Sequence, residues 1–135
     1  MTFDWAVGQE IARRDFPPIS RTTLALFAGA SGDHNPIHID LDVARSAGLD
    51  DVFAHGMLSM AYLAEVLTDV VPQERVRRFG VRFTSVTPLH GRPTCRAIVE
   101  SIERRADGIV ATLNLVAELQ DGTTTLVGSA DVALD

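Results

Sequence analysis

Lysine is absent from the chain, and all twelve cationic side chains are arginines. Without a lysine amine there is no Schiff-base chemistry and no phosphate-binding loop of the Gly-Lys-Ser/Thr type. Cysteine is almost absent too. The single Cys95 allows no intramolecular disulfide and no cysteine-based metal cluster. It stands in the alternating stretch Thr94-Cys95-Arg96-Ala97-Ile98, where a small apolar side chain on a strand is a simpler reading than a thiolate nucleophile. No apolar run approaches the roughly 18–20 residues that span a bilayer. The N-terminus, MTFDWAVGQE, lacks a basic segment leading into an apolar one. The expectation is therefore no membrane association, no secretory signal and a cytoplasmic protein. Acidic residues outnumber basic ones for a net charge of -6, which argues against a general nucleic-acid binder, since that role needs a basic face.

What is present suits one compact domain over 1–135, with 46% apolar residues to build a core and an ordinary charged fraction of 22%. No repeat, low-complexity tract or linker interrupts it. Ser20 is a good N-cap for a helix over RTTLALFAGA, in which Leu24, Phe27 and Ala28 share one face and Gly29 and Gly32 end the helix. A polar segment follows, and DLDVARSAG reads as a short helix begun near Asp40 and closed by Gly48. The longest periodic apolar stretch runs from Gly56 through GMLSMAYLAEVLTDVV to Pro72. Met57, Met60, Leu63, Ala64 and Leu67 repeat at three and four, and a helix so apolar around its circumference should be buried on most sides.

Beyond Pro72 the period becomes two. Strands are expected near Arg75–Thr84, Pro93–Arg105, Gly108–Leu119 and Thr123–Leu134, with Asp107-Gly108 and Asp121-Gly122 as hairpin turns. Helices first and antiparallel strands after make an α+β domain, a long central helix wrapped by a curved sheet. Arginines gather at Arg75, Arg77, Arg78 and Arg82, and again at Arg92 and Arg96. Scattered charge on a solvated strand accounts for them most simply; the other reading is a cationic patch that meets the phosphates of a nucleotide-bearing ligand.

Chemistry concentrates in Ser31-Gly32-Asp33-His34-Asn35-Pro36-Ile37-His38. Pro36 fixes its own φ and keeps Asn35 out of helix, so the segment is a loop of defined shape. Such a loop can aim the Asp33 carboxylate and the His38 imidazole at one water, in a general acid–base arrangement that needs no metal and no covalent intermediate. Asn35 would stiffen the turn through its side chain. The same residue types also suit a plain turn, and His38 between two isoleucines also suits a satisfied core histidine. Ala54-His55-Gly56-Met57 opens the long helix, where amides lack internal partners and a glycine admits a close approach. A carbonyl docked at Gly56 would receive its N–H as negative charge develops. His34 and His38 stand four apart, followed by Asp40 and Asp42, but Pro36 breaks the helix that such a metal pair requires, so no metal is expected.

The string Ala-Gly-Ala-Ser-Gly-Asp-His-Asn-Pro-Ile-His, followed by Ala-His-Gly-Met-Leu and by Val81-Arg82-Phe83, resembles the MaoC-like hydratases and dehydratases. These include R-specific enoyl-CoA hydratases and (3R)-hydroxyacyl-ACP dehydratase subunits of mycobacterial type. The resemblance implies a hot-dog fold and a dimer, a homodimer or a heterodimer with a related subunit. It implies an acyl-CoA or acyl-ACP substrate and no cofactor. It also implies that Asp33 and His38 hold the catalytic water, that Gly56 polarises the thioester carbonyl, and that Asn35 supports the loop. His55, Met57, Ser59, Arg82 and Phe83 are then candidates for substrate binding or support. One departure is visible: some R-specific hydratases carry a serine eight residues after the first glycine of the central helix, where this chain has Ala64. If that serine orients the aspartate in those enzymes, this protein does without it or uses Ser59, one turn into the helix. A thioesterase on the same fold, attacking the carbonyl rather than C3, is the competing enzyme reading. A non-catalytic partner subunit is the competing reading of another class, although such a subunit should have lost Asp33 or His38.

Overall fold

The computed structural model describes residues 2–135. A first strand, β1, spans Glu10–Asp15, and the helices follow as α1 Arg21–Ser31, α2 Leu41–Ser46 and α3 Gly56–Val70. Four strands complete the chain: β2 Val76–Phe83, β3 Thr94–Arg105, β4 Gly108–Glu118 and β5 Thr124–Ala133. They form one antiparallel sheet in the order β1-β3-β4-β5-β2, so β1 and β2 are its edges. The two hairpin turns require positive φ, which Gly108 (124°) and Gly122 (87°) supply.

Alternation along the strands decides which face meets α3. Cys95, Ala97 and Val99 on β3, Ala111, Leu113, Leu115 and Ala117 on β4, and Leu126, Ala130 and Val132 on β5 are buried in one cluster with Leu63, Val66 and Leu67 of α3. Together the sheet and helix make the α+β hot-dog arrangement that the sequence implies. A second cluster of Ile19, Leu24, Ala44, Val52, Ala54 and Leu58 joins α1 and α2 to the start of α3. It holds the loop between α1 and α2 beside the N-terminus of the long helix.

Three points, on β1, α1 and α3, differ from the sequence-based expectations. β1 was not foreseen. Gly29 lies inside α1, and Gly32 alone closes that helix, with φ 76° and its N–H on the Ala28 carbonyl at 3.1 Å. The long helix is not buried on most sides. It buries Leu58, Ser59, Leu63, Val66 and Leu67, whereas Met57, Ala61 and Glu65 are exposed. Cys95 is fully buried, and burial pushes its thiol up to about 12, so no thiolate forms near neutral pH. Three of the six clustered arginines are spent within the protein. Arg78 pairs with Asp131 across β2 and β5, Arg96 with Glu118 and Glu10, and Arg75 donates to the Asp135 carbonyl. Among the described residues, no helix is long and apolar enough to cross a membrane.

Candidate active site

The segment after α1 is shaped by short-range bonds from side chain to backbone. The Asp33 N–H donates to Ser31 Oγ at 3.1 Å, the Asn35 N–H to Asp33 Oδ1 at 3.2 Å, and the Ile37 N–H to Asn35 Oδ1 at 3.2 Å. Asn35 thereby caps a single 3₁₀ turn, Pro36–His38, begun by the proline whose fixed φ suits that position. The turn buries His38, which is 8% exposed, while the Asp33 side chain stays 49% exposed.

His38 Nδ1 lies 2.8 Å from the Phe53 carbonyl oxygen. A carbonyl can only accept, so Nδ1 carries the proton and the neutral ring keeps its lone pair on Nε2. That lone pair lies 4.0 Å from Asp33 Oδ2. The gap is too long for a direct hydrogen bond, and it suits two acceptors sharing one water. Phe53 is itself fixed: it bridges to Pro88, and the next residue, Ala54, donates to the Thr87 carbonyl at 2.9 Å.

His55 joins the group. It is 1% exposed, its ring stacks on His38 with centroids 4.0 Å apart and planes inclined by 29°, and its Nε2 lies 3.2 Å from the Asp33 carbonyl oxygen. Burial, and then the neighbouring His38, hold its pKa below the usual histidine value, which favours the neutral ring. Asp33, His38 and His55 offer ligand atoms within 4.8 Å of one another. Nitrogen lone pairs lie in the ring plane, however. Stacked, nearly parallel imidazoles do not converge on one ion at the roughly 2.0–2.1 Å that a metal–nitrogen bond requires. The cluster is arranged for hydrogen bonding, and of the pair considered from spacing it includes His38 but not His34.

Gly56 begins α3, so its N–H has no acceptor within the helix. A Cβ at this position would meet the Phe83 ring at 2.9 Å. Gly56, Phe53, Phe83, Val86 and Leu126 line an apolar cavity of about 340 Å³. Asp33 and His38 do not line it; they adjoin it through Phe53, which contacts the His38 ring edge-on at 4.8 Å. Of the remaining candidates, Phe83 is half-exposed over Gly56, and Met57 and Arg82 point to solvent outside the cavity. Ser59 is buried with its hydroxyl 3.4 Å from Thr87 Oγ1, so it orients Thr87 rather than Asp33. The orienting bond to the Asp33 carboxylate comes instead from the Asn35 amide.

The crowding at Gly56 gives a test. Gly56→Ala is expected to lower turnover by about ten- to a hundredfold, because a methyl group displaces whatever approaches the amide. If Phe83 is also truncated to Ala, the clash with the ring disappears but the loss should persist. Recovery to the rate of Phe83→Ala alone would show that ring crowding, not access to the amide, was responsible.

A carboxylate and an imidazole 4.0 Å apart, near a helix-terminal amide and an apolar cavity, make an arrangement able to move protons on a substrate bearing a carbonyl. The MaoC like domain family matches residues 3–118, and the chain belongs to that family. It is 27% identical over 122 residues to the 3-hydroxyacyl-thioester dehydratase Z of Mycobacterium tuberculosis, covering 85% of this chain and 81% of the relative. It is 29% identical over 111 residues to an (R)-specific enoyl-CoA hydratase of Aeromonas caviae, covering 82% and 83% of the two chains. The solved (R)-hydratase of A. caviae involved in PHA biosynthesis superposes with a TM-score of 0.83 at 26% identity, over 98% of both chains.

Proposed function

We propose that the protein hydrates trans-2-enoyl thioesters reversibly to (3R)-3-hydroxyacyl thioesters. The observation that carries this reading is the pair of acceptors, Asp33 Oδ2 and His38 Nε2, set 4.0 Å apart beside the free amide of Gly56. The R configuration rests on the relatives, one of which is an (R)-specific enoyl-CoA hydratase.

In the forward direction the water oxygen bonds to C3, while Asp33 and His38 accept its two hydrogens as hydrogen bonds. One of the pair removes a proton. The C2=C3 π electrons move toward the thioester, and the carbonyl oxygen takes up negative charge against the Gly56 N–H, near the positive end of the α3 dipole. The proton removed from water then returns to C2, so the sum is one water added and no group lost. The apolar cavity beside Phe53 and Gly56 is the proposed seat of the acyl chain. Phe83 and Val86, which line it, are 50% and 60% exposed, and β2 offers an open sheet edge beside them. Exposed apolar surface of this kind marks an interface. The proposed assembly is a homodimer.

The test is the purified single chain with crotonyl-CoA. The enoyl absorbance should fall without release of free thiol. Release of CoA would mean attack at the carbonyl, as in a thioesterase. Turnover only after adding a second, related subunit would mean an obligate heterodimer.

A further inference from the structure

We propose that His55 is a positioning residue whose Nε2–H clamps the Asp33 backbone to the start of α3 and whose ring backs His38, so that the acid–base pair and the Gly56 amide keep one fixed geometry. The kinetic part rests on the hydratase reading; the structural part does not.

Burying an imidazole here is costly. His55 is 1% exposed, and its Nδ1 has no hydrogen-bond partner among the described residues. An unsatisfied buried polar atom is destabilising, because it gives up its bond to water and gains none in return. A leucine or phenylalanine would occupy an apolar position without that penalty. The chemical reason for an imidazole is therefore its other nitrogen. Nε2 faces a carbonyl oxygen, which can only accept, so Nε2 carries the proton and Nδ1 is bare.

The bond reaches 22 positions along the chain. Among the hydrogen bonds of residues 33–40, only two leave the neighbourhood. The Asp33 carbonyl accepts from His55, and the His38 ring donates to the Phe53 carbonyl. The others, between Ser31 and Ala44, span four positions or fewer and shape the turn and the start of α2. The two long bonds run in opposite senses between the loop and the segment 53–55, a reciprocal clamp. The ring adds a second contact by stacking on His38, and Phe27 closes its far side edge-on at 4.9 Å. Gly56 is the next residue, so whatever fixes His55 also fixes the helix-terminal amide relative to Asp33 and His38.

The experiment compares the donor-less variants His55→Phe and His55→Leu with His55→Gln, whose amide can still reach the carbonyl. Two readouts are taken: hydrogen exchange of the amides of residues 33–40 without substrate, and kcat and KM for crotonyl-CoA. In the donor-less variants the loop amides should exchange at least about tenfold faster than in wild type, with the β3–β4 amides unchanged. Their kcat should fall by about 10²-fold, as for a misplaced catalytic group, with KM within about threefold of wild type. His55→Gln should recover most of both. Wild-type loop exchange in the donor-less variants, or a glutamine variant no better than phenylalanine, overturns the proposal. Inactivity of the wild-type protein withdraws the hydratase reading instead, and the exchange comparison still decides the clamp. Should neither apolar variant fold, His55→Asn, whose shorter amide falls short of the carbonyl, takes their place against His55→Gln.

Discussion

Asp33→Asn should reduce the hydration of crotonyl-CoA by about 10²–10⁴-fold, the range expected when an acid–base group is lost. The fold should be untouched. Asparagine keeps an Oδ1 to accept the Asn35 N–H, so the turn retains the bond that shapes it. The side chain is about half exposed, where substitutions usually stay within about 0.5 kcal/mol. What disappears is the negative charge and the acceptor facing His38 Nε2. A melting curve beside the rate measurement separates the two effects, and a variant with wild-type turnover would remove Asp33 from the chemistry.

His38 needs a more careful substitution, because it has two tasks. Its Nδ1–H satisfies the part-buried Phe53 carbonyl, and its Nε2 faces Asp33 Oδ2. His38→Ala removes both, and the unpaired carbonyl should cost about 1–3 kcal/mol of stability in addition to activity. His38→Asn places an amide N–H near the Nδ1 position and offers nothing at Nε2. It should melt near the wild-type temperature and still lose about 10²–10⁴-fold in turnover. Combining it with Asp33→Asn should cost little more than either change alone, because two groups acting on one water fail as a unit. Additive losses would mean that the two side chains act on different steps.

Much of this was readable before any coordinates. The strands β2–β5 fall within a residue or two of their expected bounds, because a half-buried antiparallel strand alternates strictly and the Asp-Gly turns punctuate it. β1 escaped notice because Glu10, Arg13 and Asp15 put charge on an edge strand with a register shift near Glu10 and Ala12, so no alternation is visible. The buried face of α3 was misjudged for the opposite reason. Most positions there are apolar, and periodicity chooses a face poorly when most of the circumference qualifies. Ser59, the one polar side chain among the buried residues of α3, finds its partner Thr87 28 positions away.

The site divides in the same way. Asp33, Asn35, Pro36 and His38 form a local motif, and residue type and spacing alone describe the turn. The resemblance to MaoC-like proteins is borne out by the family match. What lay beyond the sequence are the contacts across long separations: the Phe53 carbonyl on His38, the Asp33 carbonyl on His55, and the Phe83 ring over Gly56. The arginine cluster shows the same limit, since the partner of Arg78, Asp131, comes from β5. Local chemistry is legible in one dimension; the orientation of that chemistry depends on pairings that only the fold creates.

The most direct measurement is the position of an oxygen atom. Crotonyl-CoA is incubated in ¹⁸O-labelled water with the wild-type protein and with Asp33→Asn, and the products are analysed by mass spectrometry. One labelled oxygen in the C3 hydroxyl of an intact thioester, formed by the wild type and not by the variant, is the result expected here. Label in a free carboxylic acid, or equal labelling by the variant, would contradict the account.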